Sequence, residues 1–180
     1  MKKKKRIMIV LAVLTTLFLS RCYFSHQLST ESKINTVYQF PITPDMDEWR
    51  ELDTFEKMLD ATQIPEEILK EMTDEDLVET VLNYPLLSNL ILYNSYQEGY
   101  EMLKYQFNGL EYLANRNVAS ILLERYKVLV FREKMANLKD SEFLSGLLLL
   151  ILLEQDDFRN QLNDEEIREL EALQSISKLS

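Results

Sequence analysis

Glycine and proline are scarce in this chain, which contains three glycines and four prolines in 180 residues. The tight hairpins of β-sandwiches and barrels need residues that adopt positive φ, and glycine supplies that conformation most readily. Their scarcity argues against a turn-dense β fold and favours helices joined by short connections. Because 46% of the residues are hydrophobic, a chain of this length can bury the core of one domain.

Helix-start signals recur between residues 47 and 180. Thr73 precedes three acidic residues, a pattern typical of an N-cap followed by a first turn that favours negative charge. Ser95 and Glu98 have the spacing of a capping box, and Asn163 is a further candidate N-cap. These signals predict an all-α domain, a compact array or bundle of about eight short helices, with a short α-solenoid as the alternative.

The predicted helix over residues 95–107 has an apolar face. Aromatic and aliphatic side chains recur there at i, i+4, i+7 and i+11, a spacing that places them on one side of a helix: Tyr96, Tyr100, Leu103 and Phe107. We expect this face to be core. Asn108-Gly109 then predicts a helix end.

The opposite side of the same helix carries Tyr105, beside Glu98 and Glu101. Seven tyrosines lie between Tyr84 and Tyr126, and most are expected to be core residues. Tyr105 differs because the helical period turns it away from the apolar face. If the helix packs on one side only, the three residues form an exposed surface that binds a protein or peptide partner. The alternative is that Tyr105 packs under a neighbouring helix.

Residues 121–131 and 143–153 are apolar on nearly every side. Each run is much shorter than the ~20 residues that cross a bilayer as a helix. A short helix that is hydrophobic all round is typical of a buried position, so residues 143–153 predict a central helix.

The N-terminus has the organisation of an export segment. Residues 2–6 are basic, residues 7–19 are apolar, and Ser20-Arg21-Cys22 follows. Three outcomes remain open for residues 1–22: cleavage after Cys22, lipidation of Cys22 at a lipobox-like site, or retention as a membrane anchor. Arg21 departs from the lipobox pattern, which has a small residue before the cysteine. Each outcome places the remaining chain outside the cytoplasm, either secreted or attached to the membrane through this segment.

Residues 23–46 are polar and contain Pro41 and Pro44, so they predict a spacer, extended around the prolines, before a helical domain over residues 47–180. Six of the 20 basic residues lie in the first 22 positions. From Tyr23 onward, 14 basic residues face all 30 acidic ones, a net charge of −16. This charge argues against nucleic acid as a partner and leaves basic proteins, cationic peptides and divalent cations.

Several chemistries are excluded by what the chain contains. The single histidine, His26, lies in the predicted spacer, so the domain has no imidazole for a Ser-His-Asp or Cys-His arrangement. The same scarcity of histidine and cysteine excludes a typical zinc site. The isolated glycines form no phosphate-binding loop, and the acidic pairs do not match a calcium loop. The sequence therefore predicts no cofactor, no metal and no catalytic residue.

Residues 64–126 carry a family resemblance. Its segments are Ile64-Pro65-Glu66-Glu67, Val81-Leu82-Asn83-Tyr84-Pro85, Gln97-Glu98-Gly99 and Phe107-Asn108-Gly109-Leu110. The stretch resembles uncharacterised exported proteins of Gram-positive bacteria and covers about a third of the chain. The resemblance implies export and a helical fold, and it implies no catalytic residue.

The leading functional hypothesis is a non-catalytic binding or accessory module at the cell envelope. One alternative is a peptidoglycan hydrolase that uses a carboxylate, suggested by a faint likeness of Tyr93-Asn94-Ser95 to a motif of lytic transglycosylases. The other is an immunity-type protein with a dedicated partner. The sequence leaves the oligomeric state open.

Overall fold

The structure, a computed structural model, describes residues 37–134 and 140–177. The predicted export segment, including Cys22, lies outside the described residues. Within them the structure has no β-strand and has ten α-helices and one 3₁₀ helix. The all-α prediction is confirmed. The elements are α1 (Asp47–Glu51), α2 (Phe55–Ala61), α3 (Glu66–Glu71), α4 (Asp74–Leu82), the 3₁₀ helix (Leu87–Leu92), α5 (Tyr96–Gln106), α6 (Asn108–Ala114), α7 (Ala119–Lys134), α8 (Asp140–Leu153), α9 (Asp156–Arg159) and α10 (Asp164–Ser177).

Helices that are far apart in the sequence pack against each other. Consecutive elements pack together, α7 with α8 and the 3₁₀ helix with α5, and so do elements further apart: α7 with α10, α4 with α6 and α7, and the 3₁₀ helix with α8. In a solenoid, each repeat contacts only its neighbours along the chain. The long-range contacts therefore favour the compact array over the solenoid.

Three of the predicted N-caps form the expected hydrogen bonds. The backbone N–H of Asp76 donates to Thr73 Oγ1 at 3.1 Å, and that of Glu98 donates to Ser95 Oγ at 3.1 Å. Asn163 Oδ1 accepts from the backbone N–H groups of the residues two and three positions on. Each cap satisfies an N–H group that the first helical turn leaves without a partner.

The most extensive contact between two elements joins α7 and α8. The described side chains of both helices include fully buried residues, among them Leu122, Leu123, Leu149 and Leu152. The central position predicted for residues 143–153 applies to the second half of α8, where the buried run begins at Leu148. Leu144, in its first half, is 36% exposed.

One expectation for α5 was wrong. Tyr100 and Leu103 are buried as predicted, but Tyr96 is 51% exposed. Leu92, four residues earlier, is also exposed, so this end of the helix lies at the surface. The helix end predicted at Asn108-Gly109 is confirmed, although a new helix begins at once. Helix α5 ends at Gln106 and α6 begins at Asn108, whose side chain bonds to the backbone N–H and C=O of Ile64.

The buried side of α5 lies against the backbone of the 3₁₀ helix. A Cβ atom placed on Gly99 would lie 2.1 Å from the carbonyl oxygen of Leu90. Only glycine permits so close an approach without a shift of one element. Gly99 therefore determines how closely α5 packs on the 3₁₀ helix.

Part of the segment predicted as a spacer packs on the helices. The backbone N–H of Tyr38 donates to Thr80 Oγ1 at 3.0 Å, and Phe40 is 7% exposed. The Phe40 ring lies 5.6 Å from that of Tyr84 and 6.2 Å from that of Phe107. Packed structure therefore begins ahead of residue 47, because these aromatic side chains bury apolar area against α4 and the α5–α6 junction.

Candidate functional site

A pocket of about 370 Å³ lies where α5, α6 and α9 meet. Its lining combines carboxylates, one lysine and one tyrosine with small or amide side chains: Glu101, Lys104, Tyr105, Glu111, Ala114, Asn115 and Asp157. The volume falls in the range of small-ligand sites. Helix α5 contributes residues one turn apart along one side, which is why its long side chains point into the same space.

A network of short polar contacts crosses the pocket from α5 to α9. The buried Tyr100 hydroxyl donates to Asp157 Oδ2 at 2.5 Å. The Lys104 ammonium donates to the same oxygen at 2.8 Å. The Tyr100 ring also packs edge-on against Phe158, with the ring centroids 6.2 Å apart. Asp157 is therefore held in place by two donors from α5.

Lys104 contacts three groups at once. Its ammonium lies 3.2 Å from Glu101 Oε2, 2.8 Å from Asp157 Oδ2 and 4.9 Å from the centroid of the Tyr100 ring. Its side chain is 26% exposed. The ammonium therefore forms two ion pairs and a cation–π contact at the edge of solvent.

The ionisation of these groups follows from their contacts. Hydrogen bonds from Lys104 and then Tyr100 lower the pKa of Asp157, which keeps this carboxylate charged. Burial alone would lower the pKa of Lys104, but its hydrogen bonds to Asp157 and Glu101 outweigh burial, and the pKa is raised. Burial, followed by the contact with Asp157, raises the pKa of Tyr100, so its hydroxyl remains a donor. The network thus consists of a neutral phenol, an anion and a cation.

The rim of the pocket is more open. Tyr105 is 87% exposed, the highest value among the large hydrophobic and aromatic side chains of the described residues. Within the described part of the chain, the carboxylate of Glu111 has no ion pair or hydrogen bond. An aromatic ring and a carboxylate without a partner therefore line the accessible part of the pocket.

The structure brings together two of the three surface residues predicted from sequence. Tyr105 and Glu101 both line the pocket. Glu98 does not, and its carboxylate accepts a hydrogen bond from Asn94 Nδ2 at 3.0 Å. Cys22, the candidate lipidation or cleavage residue, lies outside the described residues.

Sequence reasoning missed Tyr100, Lys104 and Asp157 as site residues. Tyr100 was correctly assigned to the core, but the helical period does not show which group its hydroxyl contacts. Asp157 is 53 positions from Lys104, and its place in the first turn of α9 explained its charge. The only local sign of a site was Lys104, which follows Tyr100 and Glu101 at helical spacing.

The pocket is suited to binding a cation. Its lining has three carboxylates and one ammonium, a net charge of −2. Among the described residues, no group of three histidine, cysteine, aspartate or glutamate side chains is placed to hold a metal ion. An aromatic ring and carboxylates are groups that together bind an organic cation.

Of the helices within residues 37–134 and 140–177, none combines the length and the hydrophobicity that a membrane-spanning segment needs. Comparisons with protein-family models, with curated proteins and with solved structures find no match. The resemblance to exported Gram-positive proteins therefore stays a prediction.

Proposed function

We propose that this protein is a non-catalytic binding module that recognises a basic segment of a protein or peptide partner through the α5–α6–α9 pocket. The observation that supports this proposal is the combination of Tyr105, 87% exposed, with a pocket whose lining has three carboxylates and one ammonium. A lysine or arginine side chain supplies both the cation and the aliphatic stem that such a pocket accommodates. The net charge of the chain outside the export segment favours the approach of a basic partner.

The pocket chemistry favours binding over glycan hydrolysis. A glycoside hydrolase needs one carboxylic acid whose pKa is raised, so that it is protonated when it meets the leaving group. Asp157, the most enclosed carboxylate of the pocket, has a lowered pKa instead. Its hydrogen bonds to Lys104 and Tyr100 stabilise the charged form, which is the form that binds a cation.

The proposed place of action is the outer side of the cytoplasmic membrane, which rests on the export pattern of residues 1–22. Intact-protein mass spectrometry of membrane and culture fractions, comparing the wild type with Cys22→Ser, tests it. A membrane-bound species with a diacylglyceryl mass that the variant lacks indicates a lipoprotein. A soluble species beginning near Tyr23 indicates secretion, and an uncleaved membrane-bound chain indicates an anchor. A full-length chain in the cytoplasm would contradict the proposed location.

The binding proposal is tested with a fluorescently labelled, unstructured peptide of alternating arginine and serine, using fluorescence anisotropy at low salt. We expect saturable binding that weakens as salt is added, because ion pairs provide much of the affinity. A peptide of alternating glutamate and serine should not bind. Failure of the arginine peptide to bind at low salt would contradict the proposed function.

Variants locate the binding site. Tyr105→Ala and Glu111→Gln should each weaken binding by about threefold or more, the size of an exposed cation–π or ion-pair contact. Tyr96→Ala and Glu98→Gln remove the same groups outside the pocket and should leave affinity within about twofold. Equal effects of the pocket variants and their controls would show that binding is not at this pocket.

A further inference from the structure

Lys104 already occupies the position that a basic ligand would need. Its ammonium pairs with two of the three carboxylates that line the pocket, Glu101 and Asp157, at 3.2 Å and 2.8 Å. It also lies 4.9 Å from the centroid of the Tyr100 ring. These contacts are the ones by which a lysine or arginine side chain of a ligand would be recognised.

We propose, resting on the function proposed above, that Lys104 is an internal competitor for the pocket, whose ammonium a cationic ligand must displace to reach Asp157 and Glu101. Asp157 accepts hydrogen bonds from this ammonium and from the Tyr100 hydroxyl, and Glu101 is held by the same ammonium and by the side-chain amide of Gln97. Displacement costs the ligand part of the ion-pair energy it gains. Lys104 therefore lowers the affinity of the pocket for a cationic ligand below the value that Asp157 and Glu101 would give without it.

The chain contains a matched lysine outside the pocket. Lys127 on α7 also pairs with two carboxylates, Glu124 at 3.4 Å and Glu169 at 2.5 Å, and its side chain is 32% exposed compared with 26% for Lys104. Lys127 does not line the pocket. Replacing either lysine changes the net charge by the same amount, so the difference between the two variants isolates the local effect.

The test measures binding of the arginine–serine peptide to the wild type, Lys104→Met and Lys127→Met by fluorescence anisotropy. Methionine retains the unbranched stem and a high helix propensity. We expect Lys104→Met to bind roughly three- to tenfold more tightly than the wild type, from the loss of one or two partly exposed competing ion pairs. Lys127→Met should stay within about twofold of the wild type.

A third variant covers the case in which Lys104→Met does not fold, as judged by circular dichroism. Lys104→Arg keeps the charge and holds carboxylates through a two-pronged guanidinium, so it should bind the peptide no more tightly than the wild type. Tighter binding by Lys104→Arg would overturn the proposal. So would equal or weaker binding by a folded Lys104→Met, or an equal gain in Lys104→Met and Lys127→Met.

If no protein binds the peptide, the proposed function itself fails. If the wild type binds the peptide and these comparisons fail, only the competitor role of Lys104 fails.

Discussion

The two sides of α5 are built on different principles. On one side, Gly99 lets the helix approach the carbonyl of Leu90, and Leu103 is 1% exposed. On the other side, Glu101 and Tyr105 face the pocket, where charge and an exposed ring replace close packing. Tyr100 belongs to both, because its ring is buried while its hydroxyl reaches Asp157.

The difference teaches how one helix of 11 residues can serve both packing and the proposed recognition of a partner. The packed side tolerates no added atom, because the contact is with backbone that cannot rotate away. The pocket side depends on ion pairs between residues far apart in the sequence. These pairs tolerate a change in side-chain shape but not the loss of a charge. Substitutions on the packed side should therefore change stability, and those on the pocket side should mainly change binding.

The largest expected effect tests the packed side. Gly99→Ala places a Cβ 2.1 Å from the Leu90 carbonyl oxygen, so the 3₁₀ helix and α5 must move apart. We expect a loss of about 3 kcal/mol in the free energy of unfolding, at the upper end of overpacking effects. Chemical denaturation followed by circular dichroism measures it.

Gly146→Ala is the matched control on α8. Its added Cβ would meet its nearest neighbours at 3.9 Å, an ordinary contact. Because alanine has a higher helix propensity than glycine, this variant should gain up to about 1 kcal/mol. If Gly99→Ala were as stable as the wild type, the account of the packed side would be wrong.

A smaller effect is expected where the two sides meet. Tyr100→Phe removes the hydroxyl that donates to the Asp157 carboxylate and should cost about 2 kcal/mol, as for a hydrogen bond to a charged group. Tyr84→Phe removes a hydroxyl bonded to the neutral Thr62 and should cost about 1 kcal/mol. Denaturant titrations of both variants measure the loss in free energy of unfolding. A larger loss for Tyr84→Phe than for Tyr100→Phe would contradict the expected order.

The smallest effect concerns pH and the pocket side. The pKa of Asp157 in the folded protein lies below its ordinary value of 3.8, so the unfolded chain takes up the proton first as pH falls. The stability that this carboxylate contributes is therefore present above pH ~4 and is lost as pH falls through the lowered folded pKa. The difference in free energy of unfolding between the wild type and Asp157→Asn should shrink over that range.

Residue patterns predicted local structure well where a short-range hydrogen bond decides it. Thr73, Ser95 and Asn163 each cap a helix because the donor and acceptor lie within three residues. The helical period also identified Tyr100 and Leu103 as core, and turned Tyr105 outward. It failed at Tyr96, because periodicity does not show how far along a helix the neighbouring elements extend to cover its apolar face.

The pocket could be predicted only in part, for a related reason. Glu101 and Tyr105 lie one turn apart, so their shared side of α5 follows from helix geometry. Asp157 and Glu111 reach the same space through the packing of α9 and α6, which no local pattern encodes. The burial of Phe40 within the predicted spacer has the same origin, since its partners Tyr84 and Phe107 are more than 40 residues away.

The sequence by itself determined the helical class, the capped helix starts, the charge and the basic-then-apolar pattern of residues 1–22, because each depends on composition or on residues within a few positions of one another. The tertiary structure alone decided that Lys104 pairs with Asp157 and that a pocket opens beside them. These features depend on how helices separated by some 50 residues pack, and that packing is fixed by the whole core rather than by any one segment.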